Sequence, residues 1–316
     1  MSAGLITIIG GSGFIGRHLV GRLASRGYRV RIAVRDTEKA AQLMTQGNVG
    51  QVVGMQTNIR NQASVERAVA GADIVINLVG LLFESGSQKF NAVHVEGAKR
   101  VAEAAKAAGA RQLIHMSALG ADEKSESNYA RTKAEGEKAV SEAFEGATIL
   151  RPSVVFGAGD DFTNKFARLT ACLPALPLAN GGRALMQPVW IEDLADAIVK
   201  IIETPEQQGK IFEFGGPEQV SLRAIIESIL TETRRCCPIL SVPAGLMKVQ
   251  ALFLSLLPGT PMLTIDQVRL LEEDNVISGT AAGFADLGIA PTAMGSVIPS
   301  YVRRFRRGGG LKELHG

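Results

Sequence analysis

Apolar and polar positions in the first half of the chain alternate on two scales. Short, mostly β-branched runs at Leu5 to Ile9, Arg29 to Val34, Gln51 to Met55, Asp73 to Leu78, Gln112 to Met116 and Thr148 to Leu150 are separated by longer stretches with helical spacing. Continuous apolar runs are what strands covered on both faces require, and strands that alternate with helices pair in parallel. The clearest helical stretch is Asn91 to Ala108, rich in alanine and closed by Gly109. Alanine is the best residue for a helix interior, and glycine readily takes the left-handed conformation that ends a helix. The pattern predicts an α/β fold, a doubly wound parallel sheet of the Rossmann type, up to about Pro152. Beyond it the rhythm loosens, with a strand at Ile211 to Phe214 and a helix from Leu222 to Thr231 that Ser221 would cap.

Composition leaves this picture intact. The 316 residues are 46% hydrophobic and 21% charged, the balance of an ordinary globular chain. The net charge of +3 is too small to argue for nucleic acid, but it is concentrated at one end. From Tyr301 onward, Arg303, Arg304, Arg306, Arg307 and Lys312 stand against Glu313 alone. With Tyr301 and Phe305 interleaved, the cluster suits an anionic membrane surface or an acidic partner groove, and a solvated helix end is the plain alternative. No recognition motif for nucleic acid accompanies it. Cys172, Cys236 and Cys237 do not make a disulfide framework, and His18, His94, His115 and His315 are scattered, so no metal site is expected. No stretch reaches the roughly 18 apolar residues of a membrane-spanning helix, and the first residues lack the features of a signal peptide, which predicts a soluble or peripheral protein. The most apolar segment, Leu246 to Leu257, is followed by Pro258-Gly259. It reads either as a core helix of a small lobe or as a helix that docks on a membrane subunit or the lipid interface.

Gly10-Gly11-Ser12-Gly13-Phe14-Ile15-Gly16 follows the first strand and opens a helix. Glycine serves three needs in such a turn: the reversal itself, close backbone approach to a pyrophosphate, and tight packing of helix on sheet. The helix N-terminus adds N–H donors and positive dipole. With a second strand ending about 20 residues later, the turn reads as a dinucleotide site built by Gly10, Ser12, Gly13, Phe14, Ile15 and Gly16. That second strand ends in Val34-Arg35-Asp36. Arg35 together with Arg17 would grip a 2′-phosphate, which points to NADP(H), whereas Asp36 on the ribose hydroxyls would give NAD(H). Asn58 and Ile59 would flank the adenine, and Leu78, Val79 and Gly80 would pass beneath the cofactor. The expected division is 1–152 as an NAD(P)-binding domain, 153–300 as a smaller mixed substrate-side and partner lobe packed on it, and 301–316 as a basic tail.

Ser117 ends the fifth strand, and Tyr129 and Lys133 fall one turn apart at the start of the next helix. In a hydride-transfer site Tyr129 would move the substrate proton, Lys133 would lower its pKa and hold the nicotinamide ribose, and Ser117 would orient a carbonyl. Together with LRPSVVFG at Leu150 to Gly157, these features resemble the extended short-chain dehydrogenase/reductase superfamily over roughly residues 5 to 240. The resemblance implies that Pro152, Val154 and Val155 also line the cofactor.

A closer likeness rests on INLVG (Ile76 to Gly80), VHVEGAKRVAEAA (Val93 to Ala105), SALGAD (Ser117 to Asp122), YARTKAEGE (Tyr129 to Glu137), TIDQVRLLEEDNVIS (Thr264 to Ser278), LGIAPT (Leu287 to Thr292) and IPSYVRRFRRGG (Ile298 to Gly309). These segments resemble the nucleotide-binding accessory subunit of respiratory complex I in its bacterial form. That resemblance implies tightly bound NADP(H), a structural or assembly role among complex I subunits, and a peripheral place on the cytoplasmic side of the inner membrane. It implies no established turnover. Only 12 positions separate Ser117 from Tyr129, fewer than is usual in active relatives, and Asn58 stands where those often carry Asp, Trp190 where they often carry His or a smaller residue. Ser117, Tyr129 and Lys133 are therefore expected either as a vestigial triad or as the centre of an NADP-dependent reductase or epimerase acting on an apolar, quinone- or isoprenoid-like substrate.

Overall fold

The computed structural model describes residues 4–255 and 263–309. The apolar runs form β1 (Leu5–Ile9), β2 (Arg29–Val34), β3 (Val52–Gln56), β4 (Ile74–Asn77), β5 (Gln112–Met116) and β6 (Thr148–Pro152). Between them lie α1 (Phe14–Ser25), α2 (Glu38–Met44), α3 (Gln62–Val69), α4 (Glu96–Ala107) and α5 (Asn128–Ala143). The strand Ile211–Phe214 joins them in one seven-stranded sheet, in the order Ile211–Phe214, β6, β5, β4, β1, β2, β3. β1 to β6 pair in parallel. The seventh strand runs the same way, because the Ile149 N–H bonds Lys210 O and the Ser153 N–H bonds Phe214 O. At the centre, Ile6 and Ile8 of β1 and Ile74, Val75 and Ile76 of β4 are fully buried, which is why these runs show no polar alternation. The strand order turns back beside β1, where an open α/β sheet leaves a crevice at its carboxyl ends.

One predicted helix is broken. Asn91 to Ala108 begins as a five-residue π-helical turn, Asn91–Val95, before α4 continues to Ala107. The turn lies where α5 comes closest: a Cβ on Gly136 would sit 2.2 Å from His94 O. Gly109 then takes φ +73° and ends the helix as expected.

Backbone contacts divide the described residues into two units. The first is residues 4–152 with 194–213 and 279–289, and the second is the remainder. The chain returns to the first unit after Pro152, because Ile211–Phe214 completes the sheet and the helix Ile191–Glu203 is tied to α1 by Arg22–Asp196 at 2.7 Å and Arg26–Glu203 at 2.9 Å. At the end of the described residues, Tyr301 and Val302 belong to the buried core of the second unit. The Tyr301 hydroxyl lies 3.0 Å from Thr163 Oγ1, Arg306 Nε donates to Glu232 O at 2.7 Å, and Arg304 donates to Asn164 Oδ1 at 2.5 Å. The rest of the expected tail, 310–316, lies outside the described residues.

The second unit is mixed, with parallel pairs Val155–Phe156/Val189–Trp190 and Leu176–Ala179/Ile239–Val242 and an antiparallel pair Leu185–Met186/Val220–Ser221. Its helix Leu222–Thr233 starts on Ser221, whose hydroxyl accepts the Ala224 N–H at 3.1 Å. The apolar segment forms the helix Ala244–Ser255, while Leu256 to Gly259 lie outside the described residues. It is neither wholly core nor wholly exposed: Ala244, Met247 and Ala251 are buried, whereas Leu246 is 61% and Val249 50% exposed. Among the described residues no helix is long and apolar enough to cross a membrane.

Candidate functional site

The glycine turn connects β1 to α1 with each glycine spent on a distinct steric need. Gly10 has φ +82°, and a Cβ there would lie 2.9 Å from the Val79 side chain. A Cβ on Gly16 would lie 2.3 Å from Gly11 O, so this glycine lets α1 rest on the end of β1. Gly13 stands at the N-cap of α1 without a side-chain cap, leaving the first-turn N–H groups and the positive helix end to a phosphate. Ser12, Phe14 and Ile15 are half-buried around it, and Arg17 is exposed with its guanidinium 5.7 Å from the Phe14 ring centre. Arg35 and Asp36 are exposed at the end of β2, and Asp36 Oδ1 accepts the Glu38 N–H at 3.1 Å. Asn58 Oδ1 accepts the Arg60 N–H at 3.1 Å, and Ile59 is buried with its carbonyl held by Arg100 at 2.9 Å. Leu78 continues the sheet with its N–H on Ile9 O, and the Val79 N–H bonds Asn77 Oδ1 at 3.2 Å.

On the other side of β4, Ser127 caps α5 by accepting the Ala130 N–H, which sets Tyr129 in the first turn and Lys133 in the second. Lys133 is 4% exposed, and its ammonium donates to Met116 O at 3.0 Å. Burial, opposed by Glu137 one turn on, lowers its pKa to about 8. An ammonium has three donors, and among the described residues Met116 O is the acceptor this one has. Its nitrogen lies 5.9 Å from the Tyr129 ring centre, and a Cβ on Gly80 would come within 3.3 Å of it. Burial pushes the Tyr129 phenol up to about 12. Ser117 is 3% exposed, and its hydroxyl has no hydrogen-bond partner among the described residues. A buried hydroxyl and a buried ammonium with donors to spare fit the hydroxyl-rich nicotinamide half of a dinucleotide.

The sequence profile of the NAD dependent epimerase/dehydratase family matches residues 6–215. The chain belongs to that family. The fold agrees with this membership: the structure of Thermus thermophilus UDP-glucose 4-epimerase in complex with NAD superposes with a TM-score of 0.70 at 18% identity, over 95% of this chain and 98% of that one. Mouse NADH dehydrogenase [ubiquinone] 1 alpha subcomplex subunit 9, mitochondrial, is 33% identical over 97% of this chain and 81% of its own length. A ceramide reductase of Caulobacter vibrioides is 38% identical over 64% of this chain and 62% of its own length. Membership of this family supports binding of a nicotinamide dinucleotide.

The expected residues belong to both units. Ser117, Tyr129, Lys133, Gly80 and the glycine turn all lie in the first unit, as does Pro152, whose carbonyl accepts the Leu119 N–H. Val154 and Val155 lie in the second unit, where the Val189 N–H bonds Val154 O. The structure also adds residues that pattern reading passed over. His94 and His115 are both buried beside Lys133, with their pKa values lowered to about 3 by burial first and then by the Lys133 charge. Asn77 Nδ2 lies 3.2 Å from His115 Nδ1. The available signal was a histidine on the alanine-rich face of a helix, where a polar side chain must find partners.

Proposed function

We propose that this chain is an accessory subunit of NADH:ubiquinone oxidoreductase that holds NADP(H) tightly as a structural ligand. The observation that carries the reading is the likeness to the alpha subcomplex subunit 9 over 97% of the chain, well past the family match that ends at residue 215. The preference for NADP(H) over NAD(H) rests on Arg17 in the first turn of α1, on Arg35 just past β2, and on Asp36, one of whose carboxylate oxygens already accepts the Glu38 N–H at the start of α2. Gly10, Ser12, Gly13, Phe14, Ile15 and Gly16 would hold the pyrophosphate, Asn58 and Ile59 the adenine, Leu78, Val79 and Gly80 the underside, and Ser117, Tyr129 and Lys133 the nicotinamide ribose. The partners are other complex I subunits, on the cytoplasmic side of a bacterial inner membrane, with the exposed Leu246 and Val249 and the exposed Arg303, Arg304 and Arg307 as the contacting residues. Ligand binding of this kind stabilises the fold by RT ln(1 + [L]/Kd), about 4 kcal/mol at a thousandfold excess over Kd.

Extraction in mild detergent followed by affinity capture of the chain tests the partner, and mass spectrometry of the nucleotide released on denaturation tests the cofactor. Stoichiometric NADP(H) and co-captured complex I subunits are expected, and capture free of those subunits refutes the reading. The orphaned Ser117 hydroxyl and the spare donors of Lys133 favour a second reading, a reductase for an apolar carbonyl or quinone. There the dinucleotide would supply hydride, Ser117 would hold the oxygen and Tyr129 would give it a proton. Tyr129→Phe then abolishes NADPH oxidation and leaves the nucleotide bound, and undiminished turnover rejects this assignment.

A further inference from the structure

The π-helical turn before α4 carries a histidine whose two ring nitrogens both have partners. His94 is 2% exposed and is reached from two other elements. The Leu81 N–H, at the residue after Gly80, donates to Nε2 at 2.9 Å. Nε2 therefore bears no proton, and the neutral ring carries its proton on Nδ1, 3.0 Å from Thr132 Oγ1. Thr132 can accept it because its own hydroxyl proton goes to Asn128 O at 2.7 Å. The ring stacks on Phe90 at 5.2 Å between centres and meets Tyr129 edge-on at 5.5 Å. The result is an ordered series of donors, from the backbone beyond β4 through His94 and Thr132 into the first turn of α5.

We propose that His94 is a positioning residue that ties the Gly80-Leu81 backbone to the first turn of α5, and so sets the gap between the floor of the cofactor site and the Tyr129–Lys133 pair. The inference rests on the dinucleotide reading of that site. Gly80 is where the gap is narrowest, since a Cβ there would lie 3.3 Å from Lys133 Nζ and 3.9 Å from His94 Nε2. A charged ring would turn a second N–H donor against the Leu81 N–H, with the Lys133 ammonium adding like charge. Burial and this charge hold the group neutral, with its pKa near 3. His94 is accordingly a fixed strut and no pH switch in the neutral range. α5 can approach this turn because Gly136 has no side chain.

The test uses the full chain stripped of nucleotide, with His94→Leu, which keeps bulk and loses both hydrogen bonds, and His94→Gln, which keeps one acceptor and one donor. NADPH and NADH are titrated by fluorescence, and adenosine 2′,5′-bisphosphate serves as a probe that ends short of the nicotinamide ribose. The Leu variant should weaken dinucleotide binding about tenfold to a hundredfold, from a buried N–H and hydroxyl left without their partner. It should leave the bisphosphate within about twofold of wild type, because that probe never reaches Gly80. The Gln variant should recover most of the loss. Equal weakening of both probes, no weakening, or a Gln variant no better than Leu overturns the proposal. Wild-type protein that binds neither dinucleotide refutes the dinucleotide reading and this inference with it. Should the Leu variant fail to fold, the Gln comparison remains, together with ¹⁵N NMR of the wild-type ring: a proton on Nδ1 is expected, and a proton on Nε2 overturns the scheme.

Discussion

At Lys133 a favourable site is obtained at the expense of the fold. The ammonium is buried with Met116 O as its acceptor among the described residues, and its pKa near 8 lies below the 10.5 of an ordinary lysine. A base whose folded pKa is depressed destabilises the folded state at every pH below that value, and the penalty lifts as pH rises from about 8 toward 10.5. Lys133→Met should therefore raise the melting temperature of the nucleotide-free chain at pH 7 while weakening dinucleotide binding, the trade expected of a functional residue. Calorimetry with and without NADPH separates the two effects. Arg35 makes the complementary test of specificity. If it grips a 2′-phosphate, Arg35→Glu lowers NADPH affinity about tenfold or more and leaves NADH nearly unchanged, since a charge-assisted bond contributes roughly 1.5–3 kcal/mol. Equal effects on the two dinucleotides in parallel titrations would return the ribose to Asp36. Arg35, Lys133 and the glycines were readable as chemistry from their spacing. His94 was not, because its role depends on Leu81 and Thr132, each brought to it by a different element.

Local signals set most element boundaries. β1, β2 and β5 have the bounds their runs predict, since positions covered by the sheet's neighbours are mostly apolar, as at Val30 and Ile32 of β2 and Leu113 and Ile114 of β5. Ser221 was readable as a cap because a hydroxyl one position before an apolar helical run can take an N–H that the helix leaves unsatisfied. Ser221→Ala should lower stability by about 1 kcal/mol, whereas Ser221→Asp should hold it. Chemical denaturation of both variants decides the matter. The break at Asn91–Val95 had no such signal. Its residues are compatible with a regular helix, and the π turn appears where the Gly136 face of α5 presses against the His94 carbonyl. Gly136 and Gly16 look alike as glycines in helices. What distinguishes them from other small residues is the backbone lying 2.2 Å and 2.3 Å from where a Cβ would be, respectively.

Across the whole molecule, the two buried histidines predict how the protein responds to acid. His94 and His115 remain neutral in the folded state down to about pH 3, whereas in the unfolded chain they protonate near 6.5. The stability tied to their neutral forms is complete above 6.5 and is lost as pH falls toward 3. Between pH 6.5 and 5, above the range of ordinary carboxylates, the loss should reach about 3 kcal/mol. His94→Gln should remove about half of it, and denaturant titrations at the two pH values measure both. A loss unaffected by the substitution would assign the proton uptake elsewhere.

Sequence by itself determined the parallel α/β class, the glycine turn at β1, the Ser117–Tyr129–Lys133 spacing and the likeness to complex I subunits, since each is carried by short-range periodicity or contiguous motifs. Tertiary structure decided which later segments complete the first unit, how residues 301 to 309 dock by Tyr301 and the arginines, and which face of the apolar helix stays exposed. The physical reason is range. A strand or a cap is specified within a few residues of itself, whereas the seventh strand, the π turn and the His94 bridge exist only once distant segments have met and each buried polar group has found its partner.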